Sequence, residues 1–502
     1  MQPEHPTAVF AANGGGTRHG FAGALASAGR KLLSFPAMLA GGLAVIAALT
    51  VSTRVNDPEL WFHLRLGQFG WTTHSIPSTD IFSFTAQGHS WIAHEWLAEL
   101  GAYAAYRAGG YAGLMVCFMG LACLLFALVY LLCYRRCGSS LTAFLGGVCA
   151  WFFGTVGLAL RPMLLGYLFL AAELILLELA LRNRRWLWLL PPLFAVWVNC
   201  HGSYYFGMGV LGVYWLCSFA KGKWGPVVAE ARDKGDRKAF GLALILSALA
   251  LFANPIGIRL LLYPIHFALQ QSAQMNTVQE WLPSDLRSGR ALAMIAAVIS
   301  IPAISSLRRQ ELPLREVVAL AAAFAMAVQH VRMLPVFGIV VSPVLCEVLA
   351  PMLGSDRKRN HPAANGLFLC GFLAAIVWAF PAAADLQRQV TSGSPAGAVD
   401  YIRRTNLPGP MLNEHVFGDY LIWALPERKV FIDGRGDVFV WTGVFQEYGR
   451  WATLQEDPRI LLDKYKIRFC LMSKDAPMTF VLPYLPGWRK VYSDDVAAVF
   501  AR

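Results

Sequence analysis

Apolar runs of about bilayer length recur along most of this chain, and no other feature narrows its fold as much. They extend from Phe35 to about Ser52, and then over 110–133, 141–160, 163–181, 186–200, 203–220, 239–254, 290–306, 316–330, 334–351 and 364–382. A helix of about 17–25 residues crosses a bilayer. Most of the runs are close to that length, and several are short or interrupted by proline. Charged residues make up 15% of the 502 residues, against about 25% in soluble domains, which excludes a soluble multidomain enzyme. The chain therefore reads as an α-helical polytopic membrane protein with about eleven transmembrane helices. Its ten cysteines include no C-x-x-C pair and lie mostly inside apolar runs, so neither a disulfide framework nor a zinc site is expected from them.

Lys and Arg orient the runs. Arg135-Arg136, Arg182 to Arg185, Lys221 to Lys238, Arg308 to Arg315 and Arg357 to Arg359 fall in alternate loops and hold seventeen basic residues. Those loops and the N-terminus are thus expected in the cytoplasm. The net charge of +12 follows from topology, and no nucleic-acid partner is expected. Residues 1–34 read as a flexible cytoplasmic tail rich in Gly and Ala, and the run after it lacks a small-residue cleavage site, as an uncleaved anchor would. Residues 35–382 read as the transmembrane domain, with a large first external loop over 54–107. Residues 383–502, with 14 acidic and 15 basic side chains, read as a small extracytoplasmic α/β domain. Strands are expected at Met411 to Val416, Lys429 to Ile432, Ile467 to Met472 and Val496 to Phe500, and helices at Gly418 to Ala424 and Asp457 to Tyr465.

This topology gathers the unusual polar motifs on one membrane face. They are Asp57-Pro58-Glu59-Leu60-Trp61-Phe62-His63, His94-Glu95-Trp96, Arg161-Pro162-Met163, Asn199-Cys200-His201-Gly202, Asn254-Pro255, Glu280-Trp281 and Gln329-His330-Val331-Arg332. Charge near hydrocarbon is costly, about 2.5–3.5 kcal/mol on insertion scales, so several such loops together suggest a cleft. Pro58 suits a first helical position with Asp57 as N-cap. Glu59 to Trp71 then reads as an interfacial helix with Leu60, Trp61, Leu64 and Phe69 on its lipid side. Glu59 and His63, four apart, share a face and could hold a divalent ion or pass a proton. His94, Glu95 and Glu99 open the next helix, as further acid/base or metal groups or as a solvated helix start. Asp80 reads as turn chemistry. Arg161, His201, His330 and Arg332 sit at span ends and suit a phosphate, or else snorkel or form structural ion pairs. In the tail, Asp433, Arg435 and Asp437 stand in a Gly-rich loop after a strand, where α/β sheets bind ligands, or pack as an ion pair. Asp419 reads as a cap.

From residue 35 onward the sequence resembles a broad group of bacterial multi-pass membrane proteins. The likeness rests on Asp57 to Gly67, Ile76 to Leu97, Trp197 to Gly202, Asn254-Pro255, Gln329 to Pro335 and Gly418 to Asp437. That group in turn resembles the GT-C superfamily of membrane glycosyltransferases in layout. The resemblance implies a bacterial inner-membrane enzyme that takes a sugar from a polyprenyl-phosphate donor at the extracytoplasmic face. A lipid, glycan or protein would be the acceptor. It also implies Asp57 as base or metal ligand, with Glu59, His63 or Glu95 assisting or holding a divalent metal ion, and Glu95 as the second acidic motif. Arg161, His201 and Arg332 would grip the donor phosphate, and His63, His94, His330, Asp433 and Arg435 would line the substrate site. The other readings are a polysaccharide ligase or polymerase, a lipid-phosphate transporter, and a non-catalytic membrane subunit.

Overall fold

A computed structural model describes residues 29, 31–51, 55, 57–270, 279–353 and 360–502. Most of the expected tail over 1–34 and the basic cluster Arg357 to Arg359 lie outside the described residues.

Each of the apolar runs contains a helix. Among the described residues, five segments are long and apolar enough to cross a membrane: Trp96–Cys137, Met163–Ala180, Gly289–Arg308, Val331–Leu353 and Pro362–Ala379. Phe35–Val51, Ser140–Gly154 and Tyr204–Cys217 are shorter apolar helices. The 42-residue stretch Trp96–Cys137 breaks at Gly109-Gly110, where Gly110 has φ +59° and ψ −146°, a conformation that glycine alone adopts readily. A short polar-ended helix therefore precedes the apolar one.

Apolar side chains gain little by leaving lipid for protein, so close packing of small residues has to hold such helices together. A β-carbon at Gly146 would lie 2.2 Å from Cys346 Sγ, and one at Gly147 would lie 2.2 Å from Leu43 Cδ2. These two glycines let Ser140–Gly154 sit between Leu334–Leu353 and Phe35–Val51. At one end of the bundle Arg136 pairs with Glu178 (2.9 Å), Glu347 (2.7 Å) and Glu316. Strands β1 (Gly222–Trp224), β2 (Val227–Ala229) and β3 (Leu312–Pro313) form a small sheet joining two loops.

At the other end lies Leu60–Thr73. Its Leu60, Trp61 and Leu64, expected to face lipid, are buried in protein. The helix is sandwiched between Trp96–Cys137 and Gly418–Ala424, with Trp61 edge-on to Tyr111 (6.0 Å) and to Tyr420 (5.4 Å). The C-terminal part covers an apolar face that the sequence alone assigns to the bilayer.

That C-terminal part holds β4 (Met411–Asn413), β5 (Phe469–Ser473), β6 (Arg489–Ser493) and β7 (Ala497–Ala501) in the order β4-β5-β7-β6. β4 and β5 are parallel, and the other pairs are antiparallel. Residues 429–432, expected as a strand, make only an isolated parallel bridge, Val430 to Ser83 of the first loop. Val430 N–H donates to Phe82 O, and Phe84 N–H donates to Val430 O, both at 3.1 Å. Asn413 holds the segment from the sheet side, donating to Ile432 O (2.7 Å) and accepting from Phe431 N–H (2.8 Å).

Arg435 locks this junction. Its guanidinium binds Asp433 through Nε (2.8 Å) and Nη2 (2.6 Å), and reaches Asp80 of the first loop through Nη2 (2.7 Å). All three side chains are buried, with Arg435 stacked over Trp91 at 4.6 Å. Asp80 makes the expected turn, accepting from Phe82 N–H (3.2 Å) and Ser83 N–H (3.1 Å), and serves the ion pair as well. Asp433 and Arg435, expected to line the substrate site, thus spend their charge on each other and on Asp80. Removing one member of a buried ion pair typically costs about 3–5 kcal/mol, because the partner charges stay buried. Arg435→Ala is expected to lower the melting temperature of the purified protein sharply. An unchanged melting curve would contradict the junction.

Candidate active site

Two polar clusters adjoin one another at the end of the bundle capped by the first loop. The first is built around Arg161, between Ser140–Gly154 and Met163–Ala180. Its Nε donates to Asp57 Oδ2 (2.6 Å), and its Nη1 meets Glu59 Oε2 and Glu280 Oε1, each at 3.0 Å. Asp57 Oδ1 accepts from Glu59 N–H at 3.1 Å, and the helix begins at Leu60, one residue later than the sequence suggests. Arg332 lies with its guanidinium 4.1 Å from the Trp281 ring centroid. His330 Nδ1 contacts Trp281 O at 2.7 Å and so supports that tryptophan.

The second cluster is built on His63. Gly67, one turn further on, lies against the neighbouring helix so closely that a β-carbon there would sit 2.2 Å from Glu99 O. This contact brings the His63 imidazole to Glu99, Nδ1 to Oε1 at 2.8 Å, and within 3.7 Å of Glu95 Oε2. Glu95 precedes the helix start and makes no capping bond, which leaves its carboxylate to the imidazoles. His201 Nε2 is 3.4 Å from Glu95 Oε1, and His94 Nε2 is 3.7 Å from it. His201 Nδ1 accepts from Ser203 N–H at 3.1 Å, so a neutral His201 carries its proton on the nitrogen facing Glu95.

The expected metal set of Asp57, Glu59 and His63 does not assemble. Glu59, the N-cap of the helix, gives its carboxylate to Arg161 Nη1, while the His63 imidazole is taken by Glu99. Glu99, Glu280 and Asp437, which the sequence motifs include, complete the site together with Tyr263, which they do not. His94 stacks on Tyr263 at 4.6 Å, and Tyr263 OH donates to Asp437 Oδ2 at 3.2 Å. The signal for Asp437 was its place two residues after Arg435. Nothing local in the sequence points to Tyr263.

Burial governs the charges. It pushes the Glu95 carboxyl above the usual carboxylate range, partly offset by His94. It takes His63 well below the ordinary imidazole range, with Arg161, His94 and His201 adding to the effect. His201 is lowered to about 3 by burial, Arg332 and His94, and Asp437 is raised to about 6 by burial, against Arg435. His63 and His201 are therefore neutral, the form that binds metal.

The chain is similar in fold to the archaeal oligosaccharyltransferase AglB from Archaeoglobus fulgidus, solved in complex with an inhibitory peptide and a dolichol-phosphate. The TM-score is 0.53 at 13% identity, over 86% of this chain and 69% of that one. The apo form of the Archaeoglobus fulgidus oligosaccharyltransferase gives 0.49 at 11% identity, over the same shares. At 13% identity the likeness is one of fold. No family model matches the sequence, and no curated protein matches it.

Among the described residues His63, Glu95 and Glu99 form a buried group that can hold a metal ion, with one ligand atom of each within 4.8 Å of the others. Glu99 Oε2 is buried with no hydrogen-bond partner, which a shared proton on Oε1 does not remedy and a cation would. The wider inventory agrees. Six carboxylates (Asp57, Glu59, Glu95, Glu99, Glu280, Asp437) accompany two guanidiniums (Arg161, Arg332), a deficit of positive charge that protons or a divalent ion must offset. A thermal-shift titration of chelator-treated protein with Mn²⁺ or Zn²⁺ is expected to raise the melting temperature saturably. Ligand at a hundred times its Kd stabilises by about 2.7 kcal/mol. Glu99→Gln is expected to abolish the rise, and a flat response in wild type would contradict the metal reading.

Proposed function

We propose that this chain is a membrane glycosyltransferase that moves a sugar from a polyprenyl-phosphate donor to an acceptor hydroxyl. The reading places it in a bacterial inner membrane, with a cytoplasmic N-terminal tail over 1–34, a transmembrane domain over 35–382 and an extracytoplasmic domain over 383–502. One observation carries it: in a GT-C-like fold, carboxylates, imidazoles and two guanidiniums from the first loop and four later loops meet in one place at one end of the bundle.

In this reading Arg161 and Arg332 take the donor phosphate. Glu59 and Glu280, on Arg161 Nη1, are 40% and 34% exposed, whereas Asp57 on Nε is 10% exposed. An incoming phosphate displaces the two exposed carboxylates and leaves Asp57 in place. Trp281 holds Arg332 by its ring face, and a guanidinium fork suits phosphate oxygens. The acceptor oxygen attacks the anomeric carbon, the bond from that carbon to the phosphate oxygen breaks, and polyprenyl phosphate leaves with its new charge beside the guanidiniums. Asp57, oriented by Arg161, receives the acceptor proton. His63, Glu95 and Glu99 would hold a divalent ion, which when bound supplies positive charge near the phosphate.

The test is transfer from radiolabelled polyprenyl-phosphate sugars by the purified, detergent-solubilised protein, with membrane extract as acceptor. Proton transfer by a positioned side chain contributes about 10²–10⁴-fold, so Asp57→Asn is expected to lower kcat by that order with unaltered melting. Equal transfer by the variant would remove Asp57 from the chemistry. Saturable binding of polyprenyl phosphate with no transfer from any donor would favour a lipid-phosphate transporter or a binding subunit.

A further inference from the structure

Beside the two clusters lies a cleft of about 800 Å³ that the chemistry above does not use. It lies within the range of small-molecule sites, about 300–1,000 Å³. Three tryptophans line it, Trp71, Trp91 and Trp96, together with His74, Ser78 and Arg259. Each indole is held in place. Arg107 lies over Trp71 at 5.3 Å, and Arg435 over Trp91 at 4.6 Å. Trp96 donates its Nε1–H to Asn199 Oδ1 at 2.9 Å. The helix Leu60–Thr73 ends at His74, whose φ of +53° turns the chain so that His74 and Ser78 come to the cleft wall. Arg259 donates to Ser90 Oγ across the rim.

We propose that this cleft binds a saccharide, and, resting on the transferase reading, that the acceptor is a glycan. A pyranose offers apolar C–H faces and a rim of hydroxyls. Fixed indole faces fit the first, and imidazole, hydroxyl and guanidinium groups fit the second. Ile76, Leu100 and Ile256 also line the wall, so a polyprenyl chain is the competing occupant that the experiment separates from a saccharide. The cleft also shares a wall with the candidate site. Trp96 follows Glu95 in the chain, and the Asn199 that fixes it stands two residues before His201, the partner of Glu95.

The experiment is saturation-transfer NMR and calorimetry on the full-length protein in detergent. The probes are oligosaccharides released from bacterial envelope polysaccharides, a tryptic peptide mixture, and a short-chain polyprenyl phosphate. Wild type is expected to bind at least one oligosaccharide saturably. Trp71→Ala weakens that binding about tenfold, which is ~1.4 kcal/mol for one lost stacking platform, and Trp71→Phe keeps most of it. Trp224→Ala, which removes an exposed tryptophan on β1, changes nothing. Polyprenyl-phosphate binding is the same in all of them. No bound oligosaccharide, binding indifferent to Trp71, a preference for peptide, or loss of polyprenyl phosphate in Trp71→Ala would each overturn the inference. Oligosaccharide binding through Trp71 without transfer from any donor would leave the saccharide cleft standing and sink the transferase reading. Transfer without saccharide binding would do the reverse.

Discussion

Gly67 against the carbonyl of Glu99 is the contact on which the site depends. Two helices that meet with no β-carbon between them sit close enough for His63, one turn earlier, to reach Glu99 and Glu95. The same approach lets Trp61 pack against Tyr111 on one side and Tyr420 on the other. The first loop, the start of Trp96–Cys137 and the C-terminal part therefore close around a single point. A side chain at position 67 would push the helices apart, and the imidazole with them.

The second organising fact is electrostatic. Each end of the bundle collects ionised groups that lipid would not tolerate alone, and each does so around an arginine. At one end Arg136 is shared by Glu178, Glu316 and Glu347. At the other, Arg161 is shared by Asp57, Glu59 and Glu280. The ends differ in what surrounds the arginine. Around Arg161 stand a second guanidinium, four imidazoles (His63, His94, His201, His330) and three more carboxylates (Glu95, Glu99, Asp437). Two of the carboxylates on Arg161 itself, Glu59 and Glu280, are partly exposed. The buried pair of Arg435 with Asp80 and Asp433 does different work, tying the C-terminal part to the loop that carries the site.

Much of this was legible in the sequence, and the failures have specific physical causes. The apolar runs became helices because hydrocarbon length and backbone hydrogen bonding leave few alternatives. The convergence of Asp57, Glu95, Arg161, His201 and Arg332 followed from parity of loops alone. The pairing of Glu59 with His63 did not survive, since Arg161 takes the carboxylate and Glu99 takes the imidazole. Leu60, Trp61 and Leu64 read as lipid-facing because an apolar stripe does not say what covers it, and here Gly418–Ala424 does. Residues 429–432 looked like a sheet strand by composition, yet their partner is Ser83, in a loop more than three hundred residues earlier. Arg489–Ser493 was missed as a strand because an edge position tolerates its charged side chains. Tyr263 gave no signal at all, since its role comes from His94 and Asp437, which the fold brings to it.

The central claim is that the phosphate of a polyprenyl lipid sits between Arg161 and Arg332. Electron cryomicroscopy of the full-length protein in lipid nanodiscs, with and without a polyprenyl phosphate, tests it directly. The account predicts added density for the phosphate in contact with both guanidiniums, with Glu59 and Glu280 displaced and Asp57 still on Arg161. Phosphate density at the Arg136 end, or none at either end under saturating lipid, would contradict it.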